Sequence, residues 1–73
     1  MISYEDGTAI KAGDKVGFEE GRFEGIVELV VDTSEAQNQI GVDGPGIMLK
    51  APEFGRVFLP VKFFSEHWPV RID

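Results

Sequence analysis

The chain has 73 residues, 42% of them apolar, with no cysteine, a single histidine and a formal net charge of −6. A chain of this length makes one domain and buries only about 60% of the surface its unfolded form exposes, so small scaffolds of this kind lean on disulfides, metals or partners. The missing cysteines exclude disulfides and thiolate metal sites, the lone His67 excludes a histidine cluster, and the apolar content is too high for a disordered segment.

From the start of the chain, Met1 is followed by Ile-Ser-Tyr-Glu-Asp, with neither a basic start nor a long apolar run. No secretory signal and no membrane span is read there, and a cytoplasmic location is expected. Residues 2–5 read as a short first strand, ended by the turn Glu5-Asp6-Gly7-Thr8, in which Asp6 caps locally and Gly7 supplies a positive φ. Ala12-Gly13-Asp14 is a second turn. Lys15 to Glu19 alternates, with Val16 and Phe18 on one face, as a half-buried strand does. Glu19-Glu20-Gly21-Arg22 is the hairpin connection to the strongest strand signal in the chain, Phe23 to Asp32, where Ile26, Val27, Leu29, Val30 and Val31 cluster and Glu28 is expected to face water.

Residues 32–39 combine helix formers with a Ser34-x-x-Gln37 capping box, enough for one or two helical turns or a mobile loop. Asp43-Gly44-Pro45-Gly46 is a strong breaker. Ile47–Lys50 and Val57–Leu59 flank Ala51-Pro52-Glu53-Phe54-Gly55-Arg56 and read as a hairpin with a longer loop, its second strand ended by Pro60. A short 3₁₀ or α turn is expected within 62–68, and a closing strand over 69–72. Five short strands with a helical turn before the last is the order of an all-β, SH3-like barrel, and a one-sheet meander is the competing architecture. The parity of the second hairpin stays open. In Ile47-Met48-Leu49 and Val57-Phe58-Leu59 every position is apolar, so either the odd or the even residues face the core. Because a small barrel has one interior, the remainder must be covered by a loop, by the C-terminal segment or by another molecule.

The charge is one-sided. Residues 1–36 hold nine carboxylates and three cations, a balance of −6, and residues 37–73 hold four of each. Phosphate backbones are repelled by such a surface and basic partners are steered towards it, although acidity also serves solubility. No residue set carries catalysis. Ser65 and His67 lie two apart beside Glu66 but lack any oxyanion-hole motif. The carboxylate pairs Glu5-Asp6 and Glu19-Glu20 lie in turns rather than clefts. Asp43 alone is too little for a hard cation. Gly13, Gly17, Gly21 and Gly25 recur every four residues without a following Gly-Lys-Ser/Thr, so turn and hairpin roles explain them better than a phosphate loop. No cofactor and no metal is expected.

Lys11-Ala12-Gly13-Asp14-Lys15-Val16, with Gly21, Gly25 and Val27, resembles the KOW pattern, departing from it at Glu19-Glu20, where basic residues are common. The chain as a whole looks like a group of small acidic bacterial proteins. It shares with them Tyr4-Glu5-Asp6-Gly7-Thr8, Ile10 to Asp14, the Gly41 to Lys50 stretch and Phe54-Gly55-Arg56-Val57-Phe58-Leu59-Pro60. Some of that group accompany contact-delivered toxins, which implies an immunity protein.

Two functions of different class follow as expectations. In the first, a non-catalytic module binds a basic protein, a cognate toxin domain, through a hydrophobic centre of Met48, Phe54 and Phe58 ringed by Glu19, Glu20 and Glu24. In the second, a KOW-like accessory docks on RNA or on the transcription and translation machinery through Lys11, Lys15, Arg22 and Arg56. A homo-oligomer, its apolar strand faces paired with copies of themselves, is the third arrangement.

Overall fold

The structure is a computed structural model and describes residues 2–18 and 22–72. Strands β1 (Lys15–Phe18), β2 (Phe23–Val31), β3 (Gly46–Ala51), β4 (Gly55–Pro60) and β5 (Val70–Arg71) form one antiparallel sheet in the order β4-β3-β2-β1-β5. A helix α1 (Ser34–Ile40) joins β2 to β3, and a 3₁₀ turn (Val61–Phe63) follows β4. The sheet does not close: β4 and β5 are its two edges. The expected barrel is therefore corrected to an open sheet. Only two residues of β5 pair with β1, too short a strand to reach round to β4.

Residues 2–10 give no strand of their own, so the short strand expected over 2–5 is corrected to a loop. They fold back as a small loop with one bridge, Ser3 to Ala9, supported by Tyr4 N–H donating to Thr8 O at 2.8 Å and Ile10 N–H to Ile2 O at 3.0 Å. Asp6 Oδ1 accepts the Thr8 N–H at 2.9 Å, the local cap its position in the turn called for. The loop lays Ile2, Tyr4 and Ile10 into the core. In the next turn Asp14 N–H donates to Lys11 O at 3.1 Å, and Gly13 takes the φ of +96° that a side chain would resist.

Pairing decides the parity. Val16 opposes Gly25, Phe18 opposes Phe23, and Val27, Leu49 and Val57 share one rung. Ile47 and Leu49 have no exposed surface, and Val57 and Leu59 pack partly buried against them. Phe64 closes the cluster with Trp68 at 5.7 Å behind it. Each fully buried Leu, Ile or Val contributes about 1.5–3 kcal/mol relative to exposure. Between Val27 and Leu29 the β2–β3 register shifts by one residue, so Glu28 is the extra residue of a bulge. Past it, Leu29, Met48 and Phe58 form a rung on the opposite, outer face, and Ile26, Lys50 and Arg56 form another there.

The helix expected over 32–39 exists, but its cap is Thr33, one residue before Ser34. Thr33 Oγ1 accepts the Ala36 N–H at 3.1 Å, and Gly41 ends the helix at φ +77° with its N–H on Gln37 O. Thr33 wins because its backbone is already extended there, as an N-cap requires. None of the helix residues is buried.

Candidate functional site

The expected centre of Met48, Phe54 and Phe58 is divided between two places. Met48 and Phe58 are cross-strand partners on the outer face, both half-buried, with the Phe58 ring lying over Gly46. Phe54 belongs to the β3–β4 turn, beyond the Ala51–Gly55 rung and three rungs from Met48. Its ring stands edge-on to Phe23 at 4.7 Å and 78°, and Phe23 in turn lies 5.8 Å from Phe18. The turn is made by Phe54 N–H donating to Ala51 O at 3.1 Å. Half of Phe54 is exposed (52%) although its position is held from below by an aromatic pair. Sequence inspection placed all three residues in one centre because it could not count rungs past the turn.

Of the expected carboxylates, Glu19 and Glu20 lie outside the described residues. Glu24 is exposed on β2, 3.9 Å from Lys15 Nζ. A groove of about 300 Å³ at this end of the sheet is lined by Arg22, Phe23, Glu24, Pro52, Glu53 and Phe54, so an exposed aromatic and two carboxylates converge there. Glu53 was not among the expected site residues. Its signal was present, an acid beside Pro52 in a turn directly preceding Phe54, but turn acids are common and this one carried no distinguishing mark.

The acidic first half is partly spent on structure. Glu28 pairs with Arg56 of the second half, and Asp6 holds its own turn. Asp14 does the most: its Oδ2 accepts the Tyr4 hydroxyl at 2.8 Å and the Lys11 N–H at 3.1 Å, tying the N-terminal loop to the entrance of β1. The Lys11 N–H and then the Tyr4 hydroxyl hold the Asp14 carboxyl below its ordinary pKa, while burial and then the bond to Asp14 push the Tyr4 phenol above its own. The consequences for stability have opposite signs. Asp14 binds protons less readily folded than unfolded, so its contribution is present above the ordinary carboxylate pKa and is lost as pH falls through the folded value. Tyr4 holds its proton more tightly folded, so its contribution is complete below about pH 10 and is lost as pH rises beyond. Tyr4→Phe is expected to cost about 1–2 kcal/mol at neutral pH, the worth of a charge-assisted hydrogen bond, and less in acid where Asp14 is protonated. Urea titrations of both proteins in steps from pH 7 into acid measure this, and a difference that stays constant throughout the series while the folded state persists would argue against the charged bond.

The Ser65-Glu66-His67 segment forms an exposed turn, with Glu66 and His67 N–H groups on Phe63 O at 3.1 and 3.2 Å. Among the described residues there is no group of three His, Asp or Glu placed to hold a metal, and no helix is long and apolar enough to cross a membrane. Of the cations invoked for RNA docking, Lys15 and Arg56 lie on the outer face and are paired with Glu24 and Glu28. Lys11 sits in the turn before β1, and Arg22 lies at the groove beside Phe54. Compared with protein-family models, with curated proteins and with solved structures, the chain matches none. What fold and site define is a small open antiparallel sheet with an aromatic, acid-flanked hairpin tip.

Proposed function

We propose that the protein is a non-catalytic protein-binding module of SH3-like design, an immunity protein whose β3–β4 tip seats in a basic pocket of a cognate bacterial toxin domain. Strand order supports the SH3-like reading: β5 beside β1, a β1-to-β4 meander and a 3₁₀ turn between β4 and β5. The observation that carries the binding reading is Phe54, half-exposed yet fixed edge-on against Phe23, with Glu24 and Glu53 beside it. A rigid aromatic ordered before binding loses little entropy on contact, and such anchors dominate interface energies. Two carboxylates against one cation, Arg22, line the groove beside it, and on a chain of charge −6 they favour a basic partner over nucleic acid.

The test is affinity capture of the tagged protein from its native cells at moderate salt, beside the Phe54→Ala variant. The wild type should retain one basic protein in stoichiometric amount, and purified partner should bind Phe54→Ala at least tenfold more weakly, a loss of about 1.4 kcal/mol or more. Stability should fall by no more than the worth of one aromatic pair, about 0.5–1.5 kcal/mol. Unchanged affinity would move the contact away from the tip. Retention of RNA with a steep salt dependence would replace this reading with docking on the transcription or translation machinery.

A further inference from the structure

A second surface lies on the other side of the sheet from the core. Alternation along β2, β3 and β4 puts the Leu29–Met48–Phe58 and Ile26–Lys50–Arg56 rungs on the outer face. Ile26 is 50% exposed and Leu29 41%, and an open cleft of about 610 Å³ with mainly apolar walls runs past Ile26 and Pro52. No loop of the described structure buries Ile26 or Leu29. Two large aliphatic side chains left in water on successive outward-facing rungs of a chain this small are not required by the fold.

We propose that this outer face is a self-association surface, on which two copies of the chain stack sheet against sheet across a two-fold axis. Charge selects a second copy as the occupant. The face holds Lys15, Lys50 and Arg56 against Glu24 and Glu28, which is three minus two, or +1; the other described residues hold four cations against eight carboxylates, which is −4. Two copies approaching on most other surfaces bring acid against acid. On this one they meet nearly neutral, with both signs on each side. The ion pairs Lys15–Glu24 and Arg56–Glu28 lie among the apolar side chains, so a two-fold interface on this face would bring both charge signs from each copy. Lys50, exposed and without an ion pair among the described residues, gains carboxylate neighbours across the axis. Stacked sheets lie about 10 Å apart, a spacing that Leu, Met, Ile and Phe side chains from both copies fill. The surface adjoins the tip around Phe54, with Glu24, Ala51 and Pro52 bordering both.

Sedimentation equilibrium from micromolar to millimolar concentration tests the proposal. The wild type should rise from the monomer mass of 8.1 kDa towards twice that value. Leu29→Asp and Ile26→Asp each alter both halves of a two-fold interface, and each should raise the dissociation constant at least tenfold with an unchanged circular dichroism spectrum. Ile26→Thr, which keeps the β-branched shape, covers the case in which Asp loosens the strand, and should also weaken the dimer. A wild type that stays monomeric to millimolar concentration overturns the proposal. So does a dimer that all three substitutions leave intact.

Discussion

Leu49→Ala is expected to lower the free energy of unfolding by about 2–5 kcal/mol, the range for deleting a fully buried leucine. The upper half of that range is expected here, because the hole has little to collapse into it. Leu49 has no exposed surface and shares its rung with Val27 and Val57. Its neighbour across the core face is Gly25, whose missing side chain would itself fall 3.4 Å from Leu49 Cβ, and the next inward position on β3 is only Ala51. A domain of this size has about 4–11 kcal/mol to lose, so this one substitution removes a large share of its stability. A urea midpoint read with an unchanged slope measures the effect. Met48→Ala is the control: half-buried on the outer face, it should cost clearly less. A larger loss at Met48 than at Leu49 would mean that the strand is turned over.

Gly46→Ala should cost about 1–3 kcal/mol, as overpacking does, although it adds one methyl group. A Cβ there would lie 2.6 Å from the Leu59 carbonyl oxygen and 2.6 Å from Phe58 Cζ. The ring can turn away, but the carbonyl belongs to the β3–β4 ladder and moves only if the strands part. Hence Phe58→Ala should relieve only part of the cost, leaving a coupling energy smaller than the single effect in a double-mutant cycle. Complete relief would show that the ring alone forbids a side chain at this position. Backbone conformation is not the cause, since Gly46 is not among the glycines with positive φ.

The two substitutions mark different kinds of legibility. β-branched clustering at 23–32 and the breakers around 43–46 and 52–55 located the strands to within a residue or two, because those signals are local. The helical segment was placed to within two residues, and its cap was shifted from Ser34 to Thr33, where an extended backbone turned the hydroxyl onto the Ala36 N–H. Parity in Ile47-Met48-Leu49 was not legible, since three successive apolar residues carry no alternation. The answer came from β2, where Glu24, Ile26 and Glu28 lie outward and Val27 lies inward, so that Leu49 must follow Val27. The bulge at Glu28 then moved Leu29 to the outer face, a one-residue slip that no propensity records. At the candidate site, the separation of Phe54 from the Met48–Phe58 pair was beyond the reach of the sequence, because it follows from rung pairing.

Composition and order along the chain determined that this is an acidic, cysteine-free β protein with two hairpins and a short helix, because residue chemistry and nearest-neighbour backbone preferences act without regard to distant partners. Tertiary structure alone decided which side of each strand is the core, that the sheet stays open at β4 and β5, and that Glu28 meets Arg56 and Asp14 meets Tyr4. It also decided that the acids and apolar residues sort into an aromatic tip and a nearly neutral outer face. These are matters of register and long-range pairing, and a side chain's face is set by the strand beside it rather than by its own sequence neighbours.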